Sequence, residues 1–165
     1  MGGITFEEIM FTIMSATQDT FKNYLGVDIY AGKVEKKVDP VDSDVVGIVG
    51  VAGDRVGYII LGTDSAAAVT IAKQLLMLDE PDEESIRDAI GELTNNIAGV
   101  FKTRYHEQYG SVALGLPLVV SGTIRTMGDE GEKPGGSSMN VQCKGVTIPF
   151  RSLDGSFSLR VMVYI

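Results

Sequence analysis

Ile9, Met10, Ile13, Met14, Phe21, Tyr24 and Leu25 recur at three- and four-residue intervals, with Gly26 directly after them. That period predicts an amphipathic helix over residues 4–25, with the glycine at its C-cap. Residues 27–38 read as mostly extended, with β-branched positions and a polar alternation at Lys33, Glu35 and Lys37, up to a break at Asp39-Pro40. Residues 45–51 and 56–61 form two predicted strands joined at Gly53-Asp54-Arg55. Thr63-Asp64-Ser65 caps a second predicted helix, 66–78, which Asp79-Glu80-Pro81 ends. The longest helical pattern runs from 82 to about 109 and closes at Gly110. After it, 112–120 reads as a strand that Thr123 to Thr126 continue, and Gly128 to Ser138 as a polar, Gly-rich loop. Residues 139–149 and 155–165 give the last strands, with hairpin-turn chemistry at Leu153-Asp154-Gly155.

The pattern has a weak internal repeat. Tyr24-Leu25-Gly26-Val27 and Tyr109-Gly110-Ser111-Val112 each close a helix, and each is followed by a strand–turn–strand pair, around Gly53 and around Gly155. Two such units predict an α+β fold: an antiparallel-rich sheet with long helices packed on one face and pseudo-twofold internal symmetry. A length of 165 residues suits a single domain spanning 1–165.

Composition narrows the class of function. Apolar residues make up 44% and charged residues 22%, as in a globular protein rather than a disordered one. A formal net charge of −8 repels nucleic-acid phosphates and argues against a nucleic-acid partner. The richest apolar run, residues 45–52, is broken by Gly47 and Gly50 and is too short to cross a bilayer, so no membrane partner is expected. The single cysteine, Cys143, forms no intrachain disulfide; with no signal-peptide pattern visible, a cytoplasmic location is the expectation. His106 has no Cys or second His near it in sequence, and no metal site of the protein's own is expected. Gly47 to Gly53 lacks dinucleotide-loop spacing, and Gly131 to Gly136 lacks a Gly-Lys-Ser/Thr. Cys143, Met10 and Met14 read as core residues.

Residues 85–99 are the most informative. With Asp88 at zero and 100° per residue, Ile86, Ile90, Leu93, Ile97, Val100 and Phe101 fall between about 120° and 220°. Asp88, Glu92, Asn95 and Gly99 fall between about 340° and 40°, on the opposite side. If the apolar stripe faces the core, the acid–amide stripe faces solvent. An ordinary solvated face accounts for Asp88 and Glu92. It accounts less well for mid-helix Asn and Gly, which cost about 0.5 and 1 kcal/mol relative to Ala.

Asp88-x3-Glu92-x2-Asn95, followed by Pro117, resembles the signature of the CheC/CheX/FliY family of chemotaxis phosphatases, and Gly91, Asn96, Ala98 and Gly99 resemble the same family helix. One copy is legible; the first helix has Glu7, Glu8, Gln18 and Asp19 but no Glu-x-x-Asn, the pattern of CheX-type members. The resemblance implies hydrolysis of the aspartyl phosphate of a CheY-like receiver domain. Mg²⁺ is then expected on the receiver and no cofactor on this chain, which the resemblance also makes a homodimer. Asn95 is expected to place a water in line with phosphorus, and Glu92 to pair with the receiver's lysine. Asp88, Asn96 and Gly99 are expected to contact the partner, Asn96 lying off the stripe's centre at about 80°. The other reading is a module that docks receivers, or scaffolds a signalling complex, without hydrolysis; it has no need of the Glu92–Asn95 pair.

Overall fold

A computed structural model describes residues 5–36, 41–124 and 145–165. Helix α1 (Phe6–Thr20) starts in a capping box: the Thr5 hydroxyl accepts from the Glu8 backbone N–H, and Glu8 reaches back to the Thr5 N–H at 2.7 Å. Its last turn widens into a π-helical turn, Phe21–Leu25, which ends at Gly26 with φ 65°. The helical run predicted for 4–25 is therefore one α-helix and one π turn, and Ile4 lies outside the described residues. A short strand, β1 (Ile29–Ala31), follows, then β2 (Val41–Gly53) and β3 (Gly57–Thr63).

Helix α2 (Ser65–Leu76) is capped by Asp64, whose carboxylate accepts from the Ala67 N–H at 2.7 Å. It ends two residues earlier than the apolar pattern suggests, because Met77 takes the left-handed conformation with φ 56°. Helix α3 (Glu83–Tyr109) fills the predicted span. The Asp82 side chain accepts from the Ser85 N–H at 2.8 Å, and hydrogen bonds first from the Ser85 side chain and then from its backbone hold the carboxyl below the usual range. The predicted strand 112–120 is split into β4 (Val112–Leu114) and β5 (Leu118–Ile124) by Gly115-Leu116-Pro117. The chain ends in β6 (Gly145–Ser152) and β7 (Ser158–Tyr164), whose turn holds Asp154 to Ser152 and Ser156 and lowers its pKa to about 2. Asp39-Pro40, the Gly128 to Ser138 loop and Cys143 lie outside the described residues.

The seven strands among the described residues join one antiparallel sheet in the order β1-β6-β7-β3-β2-β4, with β5 also on β2. The order reads the same from both ends once the halves are exchanged. β3 and β7 pair at the centre, β2 and β6 flank them, and β1 and β4 lie outside. Each short strand pairs with the other half's sheet, Ile29 opposite Ser152 and Leu114 opposite Val51. The pseudo-twofold read in the sequence is thus an exchange of edge strands.

Helices α1, α2 and α3 pack on one sheet face over a core that includes Ile13, Phe21, Val49, Leu61, Ile71, Ile90, Ile97, Phe101 and Val161. Arg104 of α3 pairs with Asp19 and bonds Ser15 of α1, fastening the two long helices together. Tyr109, pushed up to about 12 by burial and then by its hydrogen bond to Glu8, adds a second fastening.

Candidate functional site

Helix α3 is positioned by unusually close backbone packing. A Cβ on Gly47 of β2 would overlap the Thr94 hydroxyl and come within 2.9 Å of Thr94 Cβ. Thr94 is fully buried, and its hydroxyl donates to the Ile90 carbonyl at 2.6 Å. On the neighbouring flank, a Cβ on Gly91 would stand 3.2 Å from Val119 Cγ2 and 3.9 Å from Pro117 Cβ. The two glycines let the middle of α3 lie down on β2 and against the segment before β5. One face of the helix is therefore fixed, and the opposite face is defined with it.

That opposite face carries the acid–amide stripe. Ile90, Leu93, Ile97 and Phe101 are buried, whereas Asp88, Glu92 and Asn95 are exposed. Asp88, Glu92 and Asn95 make no side-chain hydrogen bond or ion pair within the described residues. Arg87, the nearest basic residue along the helix, is engaged with Glu83 at 2.8 Å. Gly99 is half-buried, and nothing lies within 4 Å of the point where its Cβ would be. A second backbone can approach the helix there.

Asn96 behaves differently. It is half-buried, and its Nδ2 is enclosed without a hydrogen-bond partner. Its amide nitrogen is turned into the domain, so it stands apart from the three exposed side chains. Pro117, distant in sequence, is brought against Gly91 and so against the same helix. In the sequence Gly91 is a costly mid-helix residue that resembles the family helix; the structure gives the cost its reason.

The stripe lies on an open surface. A cavity of about 480 Å³ lined by Asp44, Asp64, Phe150 and Arg160, among others, shares no residue with it. Among the described residues no cluster of three or more His, Cys, Asp or Glu side chains is arranged to hold a metal ion. No helix among them is long and apolar enough to cross a membrane. Carboxylates and an amide projecting together from a rigid helix are suited to a complementary protein surface: they offer acceptors for a cation and a neutral donor–acceptor for water.

The same fold occurs in solved bacterial structures. A chemotaxis protein CheX from Desulfovibrio desulfuricans aligns over 94% of this chain and 97% of its own, with a TM-score of 0.76 and 24% identity. CheX from Vibrio vulnificus aligns over 95% and 98%, with a TM-score of 0.73 and 22% identity. The Borrelia burgdorferi structure, a CheX–CheY–BeF₃–Mg²⁺ complex, aligns over 94% and 96%, with a TM-score of 0.70 and 24% identity. No curated protein matches the chain. The family described as chemotaxis phosphatase CheX matches residues 45–151, a span that contains the whole stripe and Pro117. With more than half its length inside that match, and the stripe on the fixed helix at its centre, the chain belongs to the CheX family of chemotaxis phosphatases.

Proposed function

We propose that Glu92 and Asn95 project together into the phosphorylated pocket of a CheY-like receiver domain and promote hydrolysis of its aspartyl phosphate. The observation that carries this reading is the pair itself, exposed on one face of α3 with no partner among the described residues of its own chain. Phosphoryl transfer needs mainly a nucleophile in line with phosphorus and stabilised charge. The Asn95 amide holds the attacking water without adding negative charge beside the phosphoryl oxygens. Glu92, one turn away, pairs with the receiver's lysine and fixes the docked orientation. The catalytic Mg²⁺ belongs to the receiver, and this chain brings no cofactor. The Borrelia complex, in which CheX meets CheY with Mg²⁺ and beryllofluoride, a phosphoryl mimic, supports the same partner and metal here.

Asp88 and Gly99 contribute docking contacts, the first by charge and the second by close approach. Asn96 stands at the margin of that contact. The chain works as one cytoplasmic domain and as a homodimer. Phosphate release from an acetyl-phosphate-charged CheY-like receiver tests the reading. Asn95→Ala is expected to bind normally and lose at least about 100-fold in turnover, within the range for a positioned catalytic group. Glu92→Ala is expected to lose both. Hydrolysis unchanged in the Asn95 variant would end this mechanism, and a parent chain that binds the charged receiver without speeding phosphate release would leave a receiver-docking module in place of the enzyme.

A further inference from the structure

We infer that Lys102 steers and orients the docked receiver domain by meeting carboxylates at the edge of its phosphorylated pocket; the inference rests on the function proposed above. The stripe on α3 continues past Gly99. At 100° per residue the same arc takes in Lys102 at about 320° and His106 at about 0°. Both are exposed. Toward the N-terminus the arc takes in Glu84, also exposed, at about 320°. The outer face of the helix is therefore graded in charge. Glu84, Asp88 and Glu92 hold its first half, Asn95 and Gly99 its middle, and Lys102 its second half.

A lysine on a solvated helix face commonly serves its own helix, and Lys102 does not. The positions three and four residues away are Ala98, Gly99, Tyr105 and His106, none of them a carboxylate. Its ammonium has no ion pair or hydrogen bond among the described residues. It stands two turns before Tyr109, the helix end, and the macrodipole favours a cation only within the last turn. Arg87 and Arg104 of the same helix are engaged, with Glu83 and with Asp19. Lys102 is left as the uncommitted full positive charge of α3.

The partner's chemistry defines what such a cation meets. A receiver pocket holds its Mg²⁺ on oxygen ligands, carboxylates among them, and the phosphoryl group adds further negative charge. This chain has a formal net charge of −8 and turns Asp88 and Glu92 toward that pocket, so approach is opposed by like charge. A cation on the docking face offsets that repulsion locally. It also favours one of the two directions in which the helix can lie across the pocket. Lys102 lies seven residues beyond Asn95, about 10 Å along the axis. Long helical side chains lean toward the N-terminus, which brings its reach back toward Gly99. Nothing lies within 4 Å of the point where a Gly99 Cβ would be, so the partner's rim has room to come down there. The acid end of the stripe then meets the receiver's lysine, and the basic end its carboxylates.

Stopped-flow association with a CheY-like receiver charged with beryllofluoride and Mg²⁺, from about 0.02 M to about 1 M ionic strength, tests the inference. Lys102→Glu is expected to slow association about tenfold at the low end and less than about twofold at the high end, where the Debye length falls to about 3 Å. Lys102→Gln, which removes the charge without reversing it, is expected to slow it about threefold at the low end. On the acetyl-phosphate-charged receiver, kcat/KM is expected to fall with the association rate while kcat holds, because ground and transition states share the contact. Arg151→Glu makes the same change of net charge on β6, between the buried Phe150 and Ser152 and so on the sheet face away from α3. It is expected to leave association within about twofold of the parent. If Arg151→Glu slows association as much as Lys102→Glu, net charge alone is responsible and the inference fails. It fails too if both Lys102 variants associate like the parent, or lower kcat with association unchanged. In those cases the loss of turnover in Asn95→Ala still upholds the receiver reading. If the parent chain binds no charged receiver, both readings fail together.

Discussion

Asn95 and Asn96 are neighbours in sequence with opposite fates. A step of about 100° around α3 leaves the first in solvent and turns the second's amide nitrogen inward, where it has no partner. An enclosed donor without an acceptor costs stability, and replacing it with an apolar group of similar shape removes that cost. Asn96→Leu is therefore expected to stabilise the fold by about 1 kcal/mol in denaturant unfolding, with turnover kept within a factor of about two. A larger loss of turnover would make Asn96 part of the chemistry. The helical wheel alone sets Asn96 off the stripe's centre; that its Nδ2 lacks a partner depends on tertiary packing and is not readable from spacing. Met77 is a similar case. Nothing in the run of apolar residues before Asp79 marks it as the left-handed residue that stops α2, a position where glycine is usual.

At the scale of the element, what matters is how α3 is seated. Its span and polarity are legible in the sequence because Asp82 and Gly110 bracket a long periodic run. Its depth on the sheet is not, because that depth is set by Gly47, which in sequence looks like an interruption of an apolar strand. Gly47→Ala is expected to push α3 off β2 and to destabilise the domain by about 1–3 kcal/mol, the range for overpacking a tight core. Because Glu92 and Asn95 ride on the same helix, turnover is expected to fall although neither is altered. Denaturant midpoint and phosphate release, measured on the same preparation, check both halves of the statement. The split between β4 and β5 is likewise hidden: Gly115 and Pro117 are visible as strand breakers, but the apolar neighbours on each side favour one continuous strand.

For the whole molecule, the two halves can be compared through their buried helix residues. Aligning Ile9 and Ile13 with Leu93 and Ile97, which share the same spacing, brings Glu8 onto Glu92 and Phe11 onto Asn95. The first half thus has a carboxylate where the second has its glutamate, but an aromatic ring, 62% exposed, where the second has its amide. Glu8 is moreover engaged, by the Thr5 N–H and by Tyr109. Phe11→Asn, which restores the missing amide, is expected to add no turnover to the Asn95→Ala background, because the carboxylate beside it is already committed to holding the helix end. Recovery of phosphate release in the double variant would show that a second centre had only lost one residue. The repeated helix–glycine–strand pattern in the sequence foretells two related halves. It cannot foretell that they trade edge strands, since pairings as distant in sequence as Ile29 with Ser152 and Val51 with Leu114 leave no local trace.

That trade makes each half depend on the other. The half without a Glu-x-x-Asn still donates β1 to the border of its sister's sheet and receives β4 in return. Lacking that pair, it still cannot be shed as ballast, because excising it would strip a strand from its sister's sheet. Mutational drift should therefore be free on its outer helix surface and forbidden in its strands.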